Sequence, residues 1–203
     1  MPKIVDHDER RAEIIEATWR VIARDGMANT TTRQIAREAG CSFGVLAHYF
    51  SGKDALLASA LIASHANVRG RTDVLNQGRS GLPALRTLML ESLPLDEKRI
   101  VEAKIEVSFW GFAIGNPALI KIQNSEVDGL WERIHRRLRE ARDQGELRAG
   151  TDIDQATDSC LALIDGLSLR ATMYPQRTTK GIQLALLDAL FELIGAPSPQ
   201  SAS

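Results

Sequence analysis

The sequence predicts an all-α chain of about nine helices. Three observations carry this reading. Apolar residues recur at helical spacing along most of the 203 residues. No stretch alternates apolar and polar residues for long, and β-branched residues do not cluster between turn signals. Capping residues, glycines and prolines fall at the ends of the periodic segments. With 44% hydrophobic and 25% charged residues, the chain has enough apolar surface to offset chain entropy. No run of 18 apolar residues is present to span a membrane. The charged stretch from Met1 to Arg11 lacks the apolar core of a secretory signal, so a cytoplasmic location is expected. Cys41 and Cys160 are too few for a disulfide framework or a thiolate zinc site and read as reduced, packed thiols.

The first helix is expected from Asp8 to Asp25. Ile14, Ala17, Thr18, Val21 and Ile22 form its buried stripe, and Gly26 stands where a left-handed cap is wanted. Two short helices follow. Thr31 and Gln34 have the spacing of a capping box. Ile35, Ala36 and Ala39 make a small apolar face, and Gly40 ends the helix. Ser42 caps the next one, whose apolar side is Leu46, Tyr49 and Phe50. Ser51-Gly52 breaks the chain, and a longer helix starts near Lys53 with Leu56, Leu57, Ala60 and Leu61. Beyond the linker 76–81, five helices are expected at about 82–93, 97–115, 117–144, 153–173 and 178–195. Asp152 and Gln155 offer a further cap with a reciprocal partner. The Pro/Ser-rich tail 196–203 is expected to fray.

The segment Thr31 to Lys53 carries the most information. Two short helices joined by Ala39-Gly40-Cys41-Ser42 make a helix-turn-helix, with a small residue at Cys41 as the wedge. The second helix projects its N-terminal end, and a major groove about 12 Å wide admits one helix. Ser42 and the first backbone amides suit phosphate. Phe43 is a large aromatic at a first-turn position and suits thymine methyl groups, unless it packs on a neighbouring helix. Gly44 removes bulk. His48 and Tyr49 can donate to phosphate or base edges, although the Tyr49 ring also fits the core. Arg33 opens the preceding helix, next to Thr31 and Thr32. Lys53 opens the following helix, where the dipole disfavours an ammonium unless a phosphate lies near.

The run Thr31-Thr32-Arg33-Gln34-Ile35-Ala36-Arg37-Glu38-Ala39-Gly40-Cys41-Ser42-Phe43-Gly44-Val45-Leu46-Ala47-His48-Tyr49-Phe50, followed by Lys53, Leu56 and Leu57, resembles the DNA-binding domain of TetR-family repressors. The resemblance covers about residues 8–68, with the motif itself at 31–50. It implies that Thr31, Thr32, Arg33, Ser42, Phe43, Gly44, Val45, His48, Tyr49 and Lys53 face DNA. Ala47 stands where the family has Tyr, which leaves that phosphate contact to His48 and Tyr49. Residues 69–195 are similar to a regulatory domain of the family that binds ligand and dimerises. Gly145-Glu146-Leu147-Arg148, Phe109-Trp110 before Asn116-Pro117, and Ala162 to Leu167 resemble the choline-responsive BetI subgroup. Ser168 departs from it, standing in place of an aromatic.

The last two helices carry apolar residues around much of their circumference, including Leu161, Leu163, Leu167 and Leu169, then Leu184, Leu186, Leu187 and Leu190. The resemblance implies a four-helix seam between two subunits. A homodimer then meets a near-palindromic operator on double-stranded DNA, with half-sites one or more turns of about 34–36 Å apart. Glu106, Phe109, Trp110, Ala113, Trp131 and Asp165 are candidate ligand-binding residues. Aromatic faces plus a carboxylate hold cations, although each ring also fits ordinary core. The expected effector is a cationic or hydrophobic small molecule. Arginines 133, 136, 137, 139 and 142 read as a solvated helix face.

The net charge of −1 excludes an overall basic coat but not a local basic face. No nucleophile elbow, P-loop or dinucleotide fingerprint occurs, and the four histidines lack metal-ligand spacing. No enzyme, metal site or cofactor is therefore expected. The favoured reading is a ligand-released repressor. An effector-independent repressor or activator, and an all-helical enzyme with a vestigial helix-turn-helix, are the alternatives.

Overall fold

The computed structural model describes residues 7–196. Among them nine α-helices occur: α1 His7–Asp25, α2 Thr32–Glu38, α3 Phe43–Tyr49, α4 Lys53–Leu75, α5 Gly81–Ser92, α6 Glu97–Ala113, α7 Pro117–Asp143, α8 Ile153–Met173 and α9 Lys180–Ile194. One 3-10 turn (Pro175–Arg177) and one isolated bridge between Leu147 and Gly195 complete the described secondary structure. No described helix is long and apolar enough to cross a membrane. The tail expected to fray lies, from residue 197 on, outside the described residues.

The chain forms two compact units. The first contains the described residues up to Ala66 together with Lys104–Gln123; the second contains Asn67–Ala103 and the residues from Asn124 on. These units do not coincide with a division into 8–68 and 69–195, because the end of α6 and the start of α7 group with the N-terminal helices.

In the first unit, the expected stripe of α1 (Ile14, Ala17, Thr18, Val21 and Ile22) is buried. Ile14 and Val21 pack with Ile35 and Ala36 of α2, Leu46 of α3, Phe50 and Leu56. Gly26 and Gly40 take φ of 76° and 61°, left-handed values that glycine adopts without a Cβ penalty. The Thr31 side chain accepts from the Gln34 amide while the Gln34 side chain accepts from the Thr31 amide, a complete capping box. Cys41 is half-buried rather than buried. The wedge it forms is held by its own amide, which donates to the Ala36 carbonyl at 2.9 Å.

In the second unit, α5, α7, α8 and α9 enclose a core that includes Leu85, Leu88, Met89, Leu93, Ile134, Leu138, Cys160, Leu167 and Leu187. Two carboxylates from the end of α7 and the turn after it cap α5. Glu140 accepts from the Gly81 amide at 3.2 Å and Glu146 from the Leu82 amide at 2.6 Å. Negative charge at a helix N-terminus is favourable. Asp152 caps α8 by accepting from the Gln155 amide at 3.1 Å; only this forward bond of the expected reciprocal pair is seen. The helix expected at 97–115 stops at Ala113, because the chain must turn through Gly115-Asn116 into Pro117. The helix expected from 178 starts at Lys180, since the 3-10 turn and the Thr179 cap occupy the preceding residues.

Candidate nucleic-acid interface and effector network

α3 has seven residues and two different faces. Leu46 is buried, and the Phe50 C-cap sits in the same core. The N-terminal end of the helix is open: Phe43, its first residue, is 55% exposed and Val45 41%. Gly44, Ala47 and His48 are exposed as well. A helix locked from behind with two bare apolar side chains on its first turn has no internal use for them. Ser42 caps α3 by accepting from the Val45 amide at 3.2 Å. That bond uses an oxygen lone pair, so the hydroxyl proton stays available to donate to a phosphate.

The surrounding charges fit an anionic partner. Thr31 and Arg33 are exposed and Thr32 is half-buried, all at the start of α2. Glu38, the one carboxylate of the motif, is clamped by Arg20 at 2.9 Å and Arg24 at 3.0 Å. These bonds, Arg20 first, hold its carboxyl below the usual carboxylate range. Tyr49 is half-buried against the core, as its ring position suggests. His48 lies edge-on to the Tyr49 ring at 5.3 Å, and His7 approaches both rings at about 6 Å. His7 is a neighbour that the motif alone did not reveal. Lys53 has internal partners: its ammonium sits 5.0 Å from the Phe112 ring centre and donates to the Ala28 carbonyl at 3.5 Å. Those contacts offset the unfavourable dipole at the start of α4.

Glu106 lies in a buried polar network of the first unit. His65 Nε2 of α4 is 2.6 Å from Glu106 Oε2. Trp110 Nε1 donates to Oε1 at 3.0 Å and Gln123 Nε2 donates to Oε1 at 2.6 Å. Burial pushes the Glu106 carboxyl up, but His65, Gln123 and Trp110 outweigh it and hold it below its ordinary value. Phe109 and Ala113, also on α6, are fully buried beside it in sequence. Gln123 Oε1 is buried without a partner among the described residues. The sequence singled out Glu106 and Trp110; His65 and Gln123, 41 and 17 positions from Glu106, carried no local signal.

Trp131 and Asp165 are the remaining two candidate ligand-binding residues. Both belong to the second unit. Trp131 Nε1 donates to Asp158 at 2.9 Å, and its ring stacks on His135 at 4.5 Å. Asp165 is exposed on α8. The α7 arginines are not uniformly solvated either: Arg133 and Arg137 are half-buried.

Residues 14–60 match the family model for bacterial regulatory proteins of the tetR family, and residues 83–195 match that for the C-terminal region of BetI-type transcriptional repressors. The chain belongs to the TetR family. It is 35% identical to the helix-turn-helix transcriptional regulator PksA of Bacillus subtilis over 89% of this chain and 87% of that one. It is 29% identical to the regulator BetI 1 of Chromohalobacter salexigens, over 87% and 85%. A transcriptional regulator from Saccharomonospora viridis, solved in complex with choline, superposes with a TM-score of 0.84 at 25% identity, covering 94% of this chain and 100% of that one. This TetR-family chain is thus a DNA-binding transcriptional repressor with a BetI-type C-terminal domain, and α2–α3 is its helix-turn-helix.

Proposed function

We propose that the protein acts as a cytoplasmic homodimer that holds an operator closed until a small molecule releases it. The bare first turn of α3, backed by Leu46 and Phe50, is the observation that carries this reading. Thr31, Thr32, Arg33, Ser42, Tyr49 and Lys53 set register on phosphates, while Phe43, Val45 and His48 read bases, with Gly44 allowing close approach. Lys53 reaches a phosphate only by exchanging its internal partners.

The dimer reading rests on two apolar stripes. α9 exposes Ile182, Leu186 and Leu193, and α8 exposes Leu169 and Met173. They follow helical spacing on one side of each helix, and together with exposed Asp165 they fit a twofold seam. Trp131 then serves the α7–α8 pairing rather than the effector.

The effector site is placed around Glu106, Phe109, Trp110 and Ala113. A carboxylate beside an indole suits a cation, and the Saccharomonospora viridis relative was solved with choline. Both Glu106 oxygens are already engaged, so a cation must compete with His65. That exchange alters a bond held by α4, the helix that begins next to the DNA-binding motif. Couplings of about 1–3 kcal/mol change affinity 5- to 150-fold, which suffices for release. Fluorescence anisotropy on DNA from upstream of the gene, with and without choline and related amines, tests this. Binding that weakens with a cation supports the reading; binding indifferent to every cation and every apolar ligand supports an effector-independent repressor.

A further inference from the structure

The two leading side chains of α4 are both held by one short segment, the end of α6 and the turn after it. All of these residues lie in the first unit. The Lys53 ammonium sits 5.0 Å from the centre of the Phe112 ring. Asn116 Nδ2 donates to Asp54 Oδ2 at 3.1 Å. The segment itself is fixed. Gly115 turns the chain at a φ of 85°. Asn116 Oδ1 accepts from the Ala118 and Leu119 amides at 3.2 and 3.4 Å, which caps α7. Ala113 and Leu119, before and after the turn, are buried. The Phe112 ring is therefore held in place against Lys53.

The hold on Lys53 is weak. An ammonium carries three donors. The Ala28 carbonyl accepts from it at 3.5 Å, the long end of hydrogen bonding, and the ring face attracts its charge. Lys53 is half-buried and opens α4, where the helix dipole opposes a cation. A phosphate offers short, charge-assisted bonds and reverses the sign of that dipole cost. Donors aimed at the Ala28 carbonyl and the ring are not aimed at solvent, where DNA arrives.

We propose that Phe112 is an autoinhibitory latch on Lys53. The free repressor stores this ammonium on the ring and releases it to the operator, so Phe112 lowers operator affinity by the strength of its hold. The latch rests on the reading of Lys53 as a phosphate contact and is independent of the effector at Glu106. A cation over an aromatic face at a partly exposed site corresponds to about 2- to 5-fold in affinity. A dimer releases two such ammoniums, which makes about 5- to 30-fold.

Anisotropy titrations of the full-length protein on DNA from upstream of the gene, paired with thermal melts, test it. Phe112→Leu keeps an apolar side chain and removes the ring. It is expected to bind about 5- to 30-fold tighter, with an unchanged salt slope because the same phosphates are met. Phe112→Tyr keeps the ring and is expected to match wild type. Lys53→Ala is expected to bind more weakly, and adding Phe112→Leu to it should change nothing. NMR of the lysine ε-methylene protons, with Lys53 assigned through Lys53→Arg, follows the latch in the wild-type protein. The Lys53 signal is expected upfield under the ring current in the free protein and downfield on DNA. Phe112→Leu binding no tighter than wild type, or tightening equally without Lys53, overturns the latch alone when Lys53→Ala is weak. Lys53→Ala binding like wild type overturns the phosphate reading and the latch with it. A Lys53 signal unmoved by DNA overturns the latch even where Phe112→Leu does not fold.

Discussion

Replacing Phe43 with alanine separates recognition from stability. An aromatic side chain buries about 150–250 Å² when fully covered. At 55% exposure, roughly 80–140 Å² of Phe43 stays uncovered in the free protein. At about 25 cal/mol per Å², covering all of it on DNA contributes at most about 2–3.5 kcal/mol per protomer. The usual range for a good base contact, about 1–3 kcal/mol, is the better figure. A dimer loses the contact twice, so Phe43→Ala is expected to weaken operator binding at least about 30-fold. The fold should hardly notice, within about 0.5 kcal/mol, as for other surface substitutions. Anisotropy titrations at one fixed salt concentration, paired with thermal melts, measure both. Unchanged affinity, or a Tm drop of several degrees, refutes the assignment of Phe43 to the DNA face.

Other perturbations probe the remaining parts. Arg33→Ala is expected to weaken binding to all sequences alike and to lower the salt slope by about 1 per protomer, read from affinity against salt concentration. Leu193, 68% exposed, is placed in the dimer seam, so Leu193→Glu should give a soluble monomer with poor operator affinity by light scattering and anisotropy. The Glu106 carboxyl is held low in the fold, so its contribution is present above the unfolded carboxylate pKa and lost as pH falls through the folded one. Glu106→Gln should therefore be less stable than wild type at neutral pH, with the gap closing on acidification in denaturant titrations; a gap independent of pH contradicts this. Burial pushes the Cys160 thiol up to about 12, while Cys41 is half-buried. A thiol reagent should label Cys41 in the native protein and Cys160 only after unfolding.

Much of this was legible because it is local. The α1 stripe, the Thr31–Gln34 box, the Ser42 cap and the left-handed Gly40 each depend on residues within one or two turns, and each forms as its spacing implies. The exposed end of α3 could be read for the same reason: Leu46 and Phe50 anchor its later turn, while Phe43 and Val45 stand in the first turn right after the Ser42 cap. What escaped the sequence is long-range pairing. Nothing near Glu106 announces His65, and nothing near Arg71 announces that it would bind Glu102, 31 residues on, in a half-buried bond at 2.8 Å. Arg133 shows the limit from the other direction. An arginine among arginines on a charged helix reads as solvated, and only the packing around α7 half-buries it and leaves its Nη2 without a partner among the described residues.

The most direct test of the central claim is a nuclease footprint on the DNA upstream of the gene, at low ionic strength. The account requires two protected half-sites related by a dyad, their centres one or more turns of about 34–36 Å apart. Loss of both on substituting Phe43 completes the expected result. Absence of protection anywhere on that DNA, or a single unpaired patch indifferent to Phe43, contradicts it.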